Sequence, residues 1–326
     1  MFGTLLVAWY GFGPIGTAML SVGGAGFALF CAWQVLTMVV LGVGWRVVAP
    51  LSDRRQLMPF IWGRIIRDSA ASCLPFSLVG GFVLGIRAAT LHGIKLSVAT
   101  LSLIVDLTAE FVAEIAFAAA GLLVVLGRST DLTLTGPAVV ALALVIGAVI
   151  LWLQKWSVPL FVRFGRRILG GWFAGSDERQ AAASEHDLAD MYGHTGRMTL
   201  GIATHLLGWF CKGTGNWIAF RLLGCDIDLP AGLAIEALLH VALIPAFVIP
   251  GYAGVQEAGY AAIGALFGIP PEISLVVSLL RRARDLAIGI PVLLIWQLVE
   301  MRRLRKPGLA PGRVPAPAQP LAGRGD

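Results

Sequence analysis

Several ionisable residues of this chain lie inside apolar segments, where charge is costly. Asp106, Glu110 and Glu114 recur at i, i+4 and i+8, so a helix places all three on one face. A charge at the centre of a bilayer costs on the order of 2.5–3.5 kcal/mol on insertion scales, so such groups face protein or water. There, carboxylates hold arginines or exchange protons. Arg281, Arg282, Arg284 and Asp285 form a second cluster in a later apolar segment. Guanidinium forks suit phosphate and carboxylate groups. Glu257 ends the stretch Pro250-Gly251-Tyr252-Ala253-Gly254-Val255-Gln256-Glu257, a break between apolar runs at 231–249 and 258–267. Glu236 and His240 sit one helical turn apart in the first of those runs, spaced to share a proton. Arg87 ends a short apolar piece that follows Pro75, Gly80 and Gly81.

The elements that must position these groups are membrane helices. The 326 residues are 57% hydrophobic and only 13% charged, and the mean hydropathy is +0.80. A soluble domain carries about 25% charged residues. Several runs reach the roughly 20 apolar residues that cross a hydrocarbon core, and they are continuously apolar, unlike the alternating strands of a membrane barrel. The net charge of +6 is not a nucleic-acid signal. Lys and Arg gather around 54–67, 155–197 and 302–324, which the positive-inside rule places in the cytoplasm, both termini included. The first ten residues have no basic stretch and do not read as a cleavable signal. The first apolar segment begins so early that a longer natural N-terminus is an expectation.

The expected fold is an all-α polytopic membrane protein, with about six full spans and two Pro/Gly-broken re-entrant hairpins. A count of hairpin arms as spans gives about eight. The first membrane half covers residues 1–156, with a hairpin at 58–91 hinged at Pro75, Gly80 and Gly81 and a helix at 95–126. A cytoplasmic polar loop at 157–197 separates it from the second half at 198–301. That half holds a hairpin at 231–267, hinged at Pro250, Gly251 and Gly254, and a helix at 271–301. A disordered basic tail follows at 302–326. The two hairpin units repeat at a constant offset of 175 residues, aligning Pro75 with Pro250, Leu91 with Leu266, Gly93 with Gly268 and Ile94 with Ile269. The charge rule makes the two units inverted. Weak internal symmetry around interrupted apolar segments is a mark of transporters.

Other motifs carry less. Gly11-Phe12-Gly13-Pro14-Ile15-Gly16 matches a dinucleotide-loop pattern but lacks the strand and the downstream acid that loop needs. His186, Asp190 and His194 share a helical face, and a solvated amphipathic helix explains them better than a metal site. Cys31, Cys73, Cys211 and Cys225 show no paired spacing and read as small apolar residues. No cofactor, no metal and no nucleic-acid partner is expected.

Leu74-Pro75, Gly80-Gly81, Arg87, the Asp106/Glu110 helix, Pro250-Gly251 through Glu257, and the arginines at 281–284 resemble the transmembrane region of lysylphosphatidylglycerol synthases. Stand-alone relatives of that region are described as flippase-like. Ala8-Trp9-Tyr10-Gly11 looks most like the branch linked to hopanoid biosynthesis. Tyr252-Ala253 departs from the small Gly-Leu-type pair of the family. The resemblance implies lipid handling in a bacterial inner membrane, with membrane lipids and hopanoid-synthesis enzymes as partners. The chain ends about 25 residues past its last span, so lipid aminoacylation is not expected and the protein reads as no enzyme. On this reading Arg87, Asp106, Glu110, Glu257, Arg281, Arg282, Arg284 and Asp285 line a headgroup cavity, and Glu236 and His240 are candidates for proton coupling. A plainer role for the charges is ion pairing between halves, of the type Arg281–Asp106 and Arg284–Glu110. A scaffold for lipid-synthesis enzymes and a lipid-modifying transferase are the alternatives to transport.

Overall fold

The computed structural model of the protein describes residues 22–50, 56–74, 77–128, 188, 190–246, 252 and 254–304. The segments at 3–20, 137–156, 157–187 and 305–326, together with Pro75, Pro250, Gly251 and His186, lie outside the described residues. Every described element is helical: α1 (Gly23–Val48), α2 (Leu57–Cys73), α3 (Ser77–Leu91), α4 (Leu96–Arg128), α5 (Thr195–Leu222), α6 (Leu229–Leu243), α7 (Val255–Ala265) and α8 (Pro271–Leu304), with a 3₁₀ turn at Ile244–Ala246.

Two of these helices are long and apolar enough to cross a membrane, α1 with mean hydropathy 2.0 and α4 with 2.1. That is fewer clearly apolar spans than the sequence count, and the reason is physical. With 28 and 34 residues, α5 and α8 extend about 42 and 51 Å. Their hydropathy is lowered by Lys212 and Arg221 in α5 and by Arg281, Arg282, Arg284 and Asp285 in α8. The outside of the molecule is apolar where the inside is charged. Leu123 is 68% exposed, and Leu286, Ile290, Leu294, Ile295 and Leu298 form an exposed stripe along α8, while Arg64, Asp106, Glu110, Glu236 and Arg284 are buried. This distribution is the reverse of a water-soluble fold.

Glycines let the helices approach closely. A Cβ on Gly81 would lie 2.7 Å from the Arg67 carbonyl oxygen, and one on Gly85 would lie 3.0 Å from that of Gly63. These contacts fix α2 and α3 as an antiparallel hairpin with backbones nearly touching, the small-residue packing familiar from membrane helices. The same device joins α1 to α5. Gly44 faces His205, Leu41 faces Gly208, and Val48 faces Gly201, so the two helices run antiparallel. Gly121 of α4 sits against Ala234 and Ala237 of α6, and Gly289 of α8 sits against Ser69 and Cys73 of α2.

α2 and α3 are short, 17 and 15 residues, and so are α6 and α7, at 15 and 11. α6 starts on an Asp228 cap that accepts from the Ala231 N–H at 3.1 Å. α3 and α7 end alike: Gly93 and Gly268 take φ of +90° and +69°, and Ile94 and Ile269 donate back to the carbonyls of Ala89 and Gly264. Glycine meets the left-handed requirement of that turn without a Cβ clash. The helices that follow start 175 residues apart, at Leu96 and Pro271.

Candidate functional site: two buried ion clusters

The carboxylates of α4 meet the guanidiniums of α2. Arg64 donates to both oxygens of Glu110, at 2.9 and 2.6 Å, and its Nε donates to Asp68 at 2.9 Å. Arg67 donates to Glu110 at 2.7 Å and to Asp106 at 3.2 Å, with its guanidinium 5.1 Å from the centre of the Phe82 ring. His205 of α5 completes the cluster, its Nε2 2.7 Å from Asp106 Oδ1. Asp106 and His205 are fully enclosed and Arg64 is 2% exposed. Gly44 makes room for the imidazole, since a Cβ there would lie 2.9 Å from His205 Nε2. Every charge here has an opposite partner, as a low-dielectric interior demands.

The second cluster joins α6, α7 and α8. Arg281 donates to Glu236 at 2.6 Å and to the Tyr260 hydroxyl at 3.2 Å, and Tyr260 donates to Asn216 at 2.9 Å. His240 stands 3.3 Å from Glu236 through Nε2 and 3.8 Å from Glu114 through Nδ1. Lys212 lies with its ammonium 3.9 Å from the centre of the Trp209 ring. A small, partly open cavity of about 20 Å³ adjoins this cluster, lined by Gln34, Lys212, Asn216, Glu236, Tyr260, Arg281 and Arg284 among others. That volume is enough for one water.

A family model, the lysylphosphatidylglycerol synthase TM region, matches residues 1–292. The chain belongs to that family. Comparison with curated proteins and with solved structures gave no match. This lysylphosphatidylglycerol synthase TM-region chain is therefore a membrane protein, and the buried charges and exposed apolar faces are those of a protein whose solvent on the outside is lipid.

The expected site residues separate into distinct environments. Asp106 and Glu110 do not meet Arg281 and Arg284. Their partners are Arg64 and Arg67, while Arg281 holds Glu236 and Arg284 donates to its neighbour Asp285 at 2.7 Å, with Phe30 4.5 Å beneath its guanidinium. The cross-half pairs expected from sequence are thus replaced by pairs of α2 with α4 and of α6 with α8. Arg87 is not in either cluster. It bonds Glu300 at 2.7 Å and keeps 38% of its side chain exposed, because α3 turns that face toward the far end of α8. Glu257 has both oxygens engaged, one accepting from the Gly254 N–H at 2.7 Å and the other from Arg282 at 2.9 Å. It caps α7 at a Gly254 held at φ +85°. Gly80 meets nothing within 4 Å, unlike Gly81. Glu236 and His240 do adjoin each other, as their spacing predicts.

Sequence reasoning placed Arg64 and Arg67 in a cytoplasmic basic patch. They are 2% and 7% exposed, and the signal that could have found them is their i, i+3 spacing on a helix preceding three unpaired carboxylates. Lys212, His205, Asn216 and Tyr260 were also outside the expected site, because nothing local distinguishes a lone polar residue that faces a partner from one that faces lipid, while Glu114 shared the face of Asp106 and Glu110 without being assigned to the site. His194 Nδ1 lies 2.7 Å from the carbonyl of Asp190, and among the described residues no group of three or more His, Cys, Asp or Glu is placed to hold a metal. The four cysteines are free and partly buried.

Proposed function

We propose that this protein is a flippase-like transporter that moves a polar-headed lipid between the leaflets of a bacterial inner membrane. The observation that carries the reading is the cavity beside the second hairpin, where Lys212, Arg281 and Arg284 converge with Asn216 and Tyr260. Three cations beside Glu236 around a space now the size of one water suit a phosphate group once the helices part to admit it, with charge-assisted hydrogen bonds from the arginines. The acyl tails would stay in the bilayer.

An inverted repeat with two re-entrant hairpins is part of the reading. Helices α1 and α5 lie antiparallel, with Leu41 facing Gly208 and Trp33 facing Gly215. The arms of both hairpins are at most 17 residues long, about 26 Å or less against a hydrocarbon core of roughly 30 Å. Cytoplasmic termini and an association with hopanoid synthesis are part of the same proposal. A second reading, a non-transporting scaffold, draws support from the first cluster, whose ions satisfy one another.

The test is the leaflet distribution of labelled phospholipids and hopanoids in proteoliposomes. Wild-type protein is expected to equilibrate an anionic lipid across the bilayer, and Arg281→Gln to slow this at least tenfold. Equal rates in both, or no movement of any lipid by folded protein, would give the site to the scaffold reading.

A further inference from the structure

The buried charges fall into two kinds. Arg64, Arg67, Asp106, Glu110, Glu257 and Arg281 each have an opposite partner within 3.2 Å. Glu114 and Lys212 do not, and His240 is held on one side only, with Nε2 3.3 Å from Glu236. The nearest base to Glu114 is His240 Nδ1 at 3.8 Å. Among the described residues Lys212 has no hydrogen-bond acceptor and rests on the Trp209 ring at 3.9 Å. Loosely held ionisable groups inside a membrane protein are the ones that change state.

Their arrangement is directional. The imidazole of His240 stands between two carboxylates, with Nδ1 toward Glu114 on α4 and Nε2 toward Glu236 one turn before it on α6. Nε2 also lies 3.5 Å from Nη2 of Arg281 on α8. The Trp209 ring of α5 packs edge-on against the imidazole at 4.5 Å between centroids. The charged and titratable groups facing this histidine are therefore Glu114, Glu236, Arg281 and, from α5, Lys212. Glu110 and the phenol of Tyr252 adjoin Glu114. Glu236, Lys212 and Arg281 also line the cavity, whereas Glu114 and His240 do not.

We propose that Glu114, His240 and Glu236 form a proton relay that ends at the cavity and controls whether Arg281 is free to hold an anionic group. A proton on Glu114 passes to Nδ1 as the proton on Nε2 passes to Glu236. One proton has moved from Glu114 to Glu236, and the imidazole stays neutral with its tautomer exchanged. Closing the 3.8 Å gap to hydrogen-bond range takes a movement of about 1 Å. Protonated Glu236 no longer neutralises Arg281, so the guanidinium turns its donors to a phosphate in the cavity, while the Nε2 lone pair accepts from Nη2. By linkage the converse holds: an anion on Arg281 favours proton uptake. The relay itself is independent of what the protein carries. Its coupling to lipid rests on the function proposed above.

Two readouts separate these parts. Infrared difference spectra of the membrane-reconstituted protein between pH 5 and pH 8 are expected to contain a protonated-carboxyl band that is lost in Glu114→Gln, retained in Glu114→Asp and displaced in His240→Gln. Thermal unfolding identifies any variant that fails to fold, and Glu114→Asp then carries the comparison. In proteoliposomes, movement of fluorescent phosphatidylglycerol is expected to change at least threefold under an imposed pH gradient, and this dependence to vanish in Glu114→Gln. A carboxyl band unchanged in either Glu114→Gln or His240→Gln would overturn the relay, whether or not lipid moves. Lipid movement indifferent to the gradient would overturn the coupling. A band that depends on both Glu114 and His240 with no lipid movement would support the relay and count against lipid transport.

Discussion

Arg64 touches three carboxylates, and its side chain has almost no exposure. An ion network so enclosed is held because removing one member leaves the others under-compensated in a low-dielectric interior. Glu110 is its hub, bonded to Arg64 twice and to Arg67 once. Glu110→Ala is expected to destabilise the detergent-solubilised protein by about 3–5 kcal/mol, since it takes three charge-assisted bonds from two buried guanidiniums and leaves them only Asp68 and Asp106. Adding Arg64→Met should recover part of that loss, because one of the under-compensated charges is gone. Chemical unfolding of the single and double variants measures this, and strictly additive losses would show that the pair is uncoupled. Glu257 belongs to the same class of residue. With one oxygen on the α7 cap and the other on Arg282, its first role is to shape the break beside Gly254.

At the scale of elements, the hairpin of α2 and α3 depends on what is missing from Gly81. The carbonyl of Arg67 occupies the space where a side chain would start, and Arg67 belongs to the first ion cluster. Packing of the hairpin and positioning of the cluster are therefore one problem. Gly81→Ala is expected to cost about 1–3 kcal/mol through backbone displacement. Gly80→Ala, one residue earlier, meets nothing within 4 Å and should be neutral or slightly stabilising, because alanine is the better helix former. Unfolding midpoints of the two variants in one detergent test the contrast, and equal losses would count against such a close approach.

For the whole molecule, the helices pair across the halves: α4 packs on α6, and α8 packs on α2. The charges are exchanged between the clusters. Acids lie on α4 and bases on α2 in the first, whereas the base lies on α8 and the acid on α6 in the second. An inverted repeat opens its two breaks to opposite sides. With Cys31, Cys73, Cys211 and Cys225 changed to serine, single cysteines at Leu74 and Tyr252 should label with a membrane-impermeant maleimide from opposite faces of oriented vesicles. Labelling of both from one face would remove the inversion.

Composition and periodicity by themselves determined that the chain is helical and built for a membrane, since continuous apolar runs and low charge follow from hydropathy alone. The breaks near Pro75 and Pro250 and the 175-residue spacing were legible because proline, glycine and helix length act locally. Glu236 beside His240 was legible for the same reason, one helical turn. The partners of Asp106, Glu110 and Arg281 were not. Their identity depends on which helix faces which, and that was decided by glycine seams such as Gly44 against His205 and Gly81 against Arg67. Only the tertiary structure turned Arg64 and Arg67 from surface basic residues into the counter-charges of α4, because burial is a property of the packed molecule and a charge carries no local mark of where it ends up.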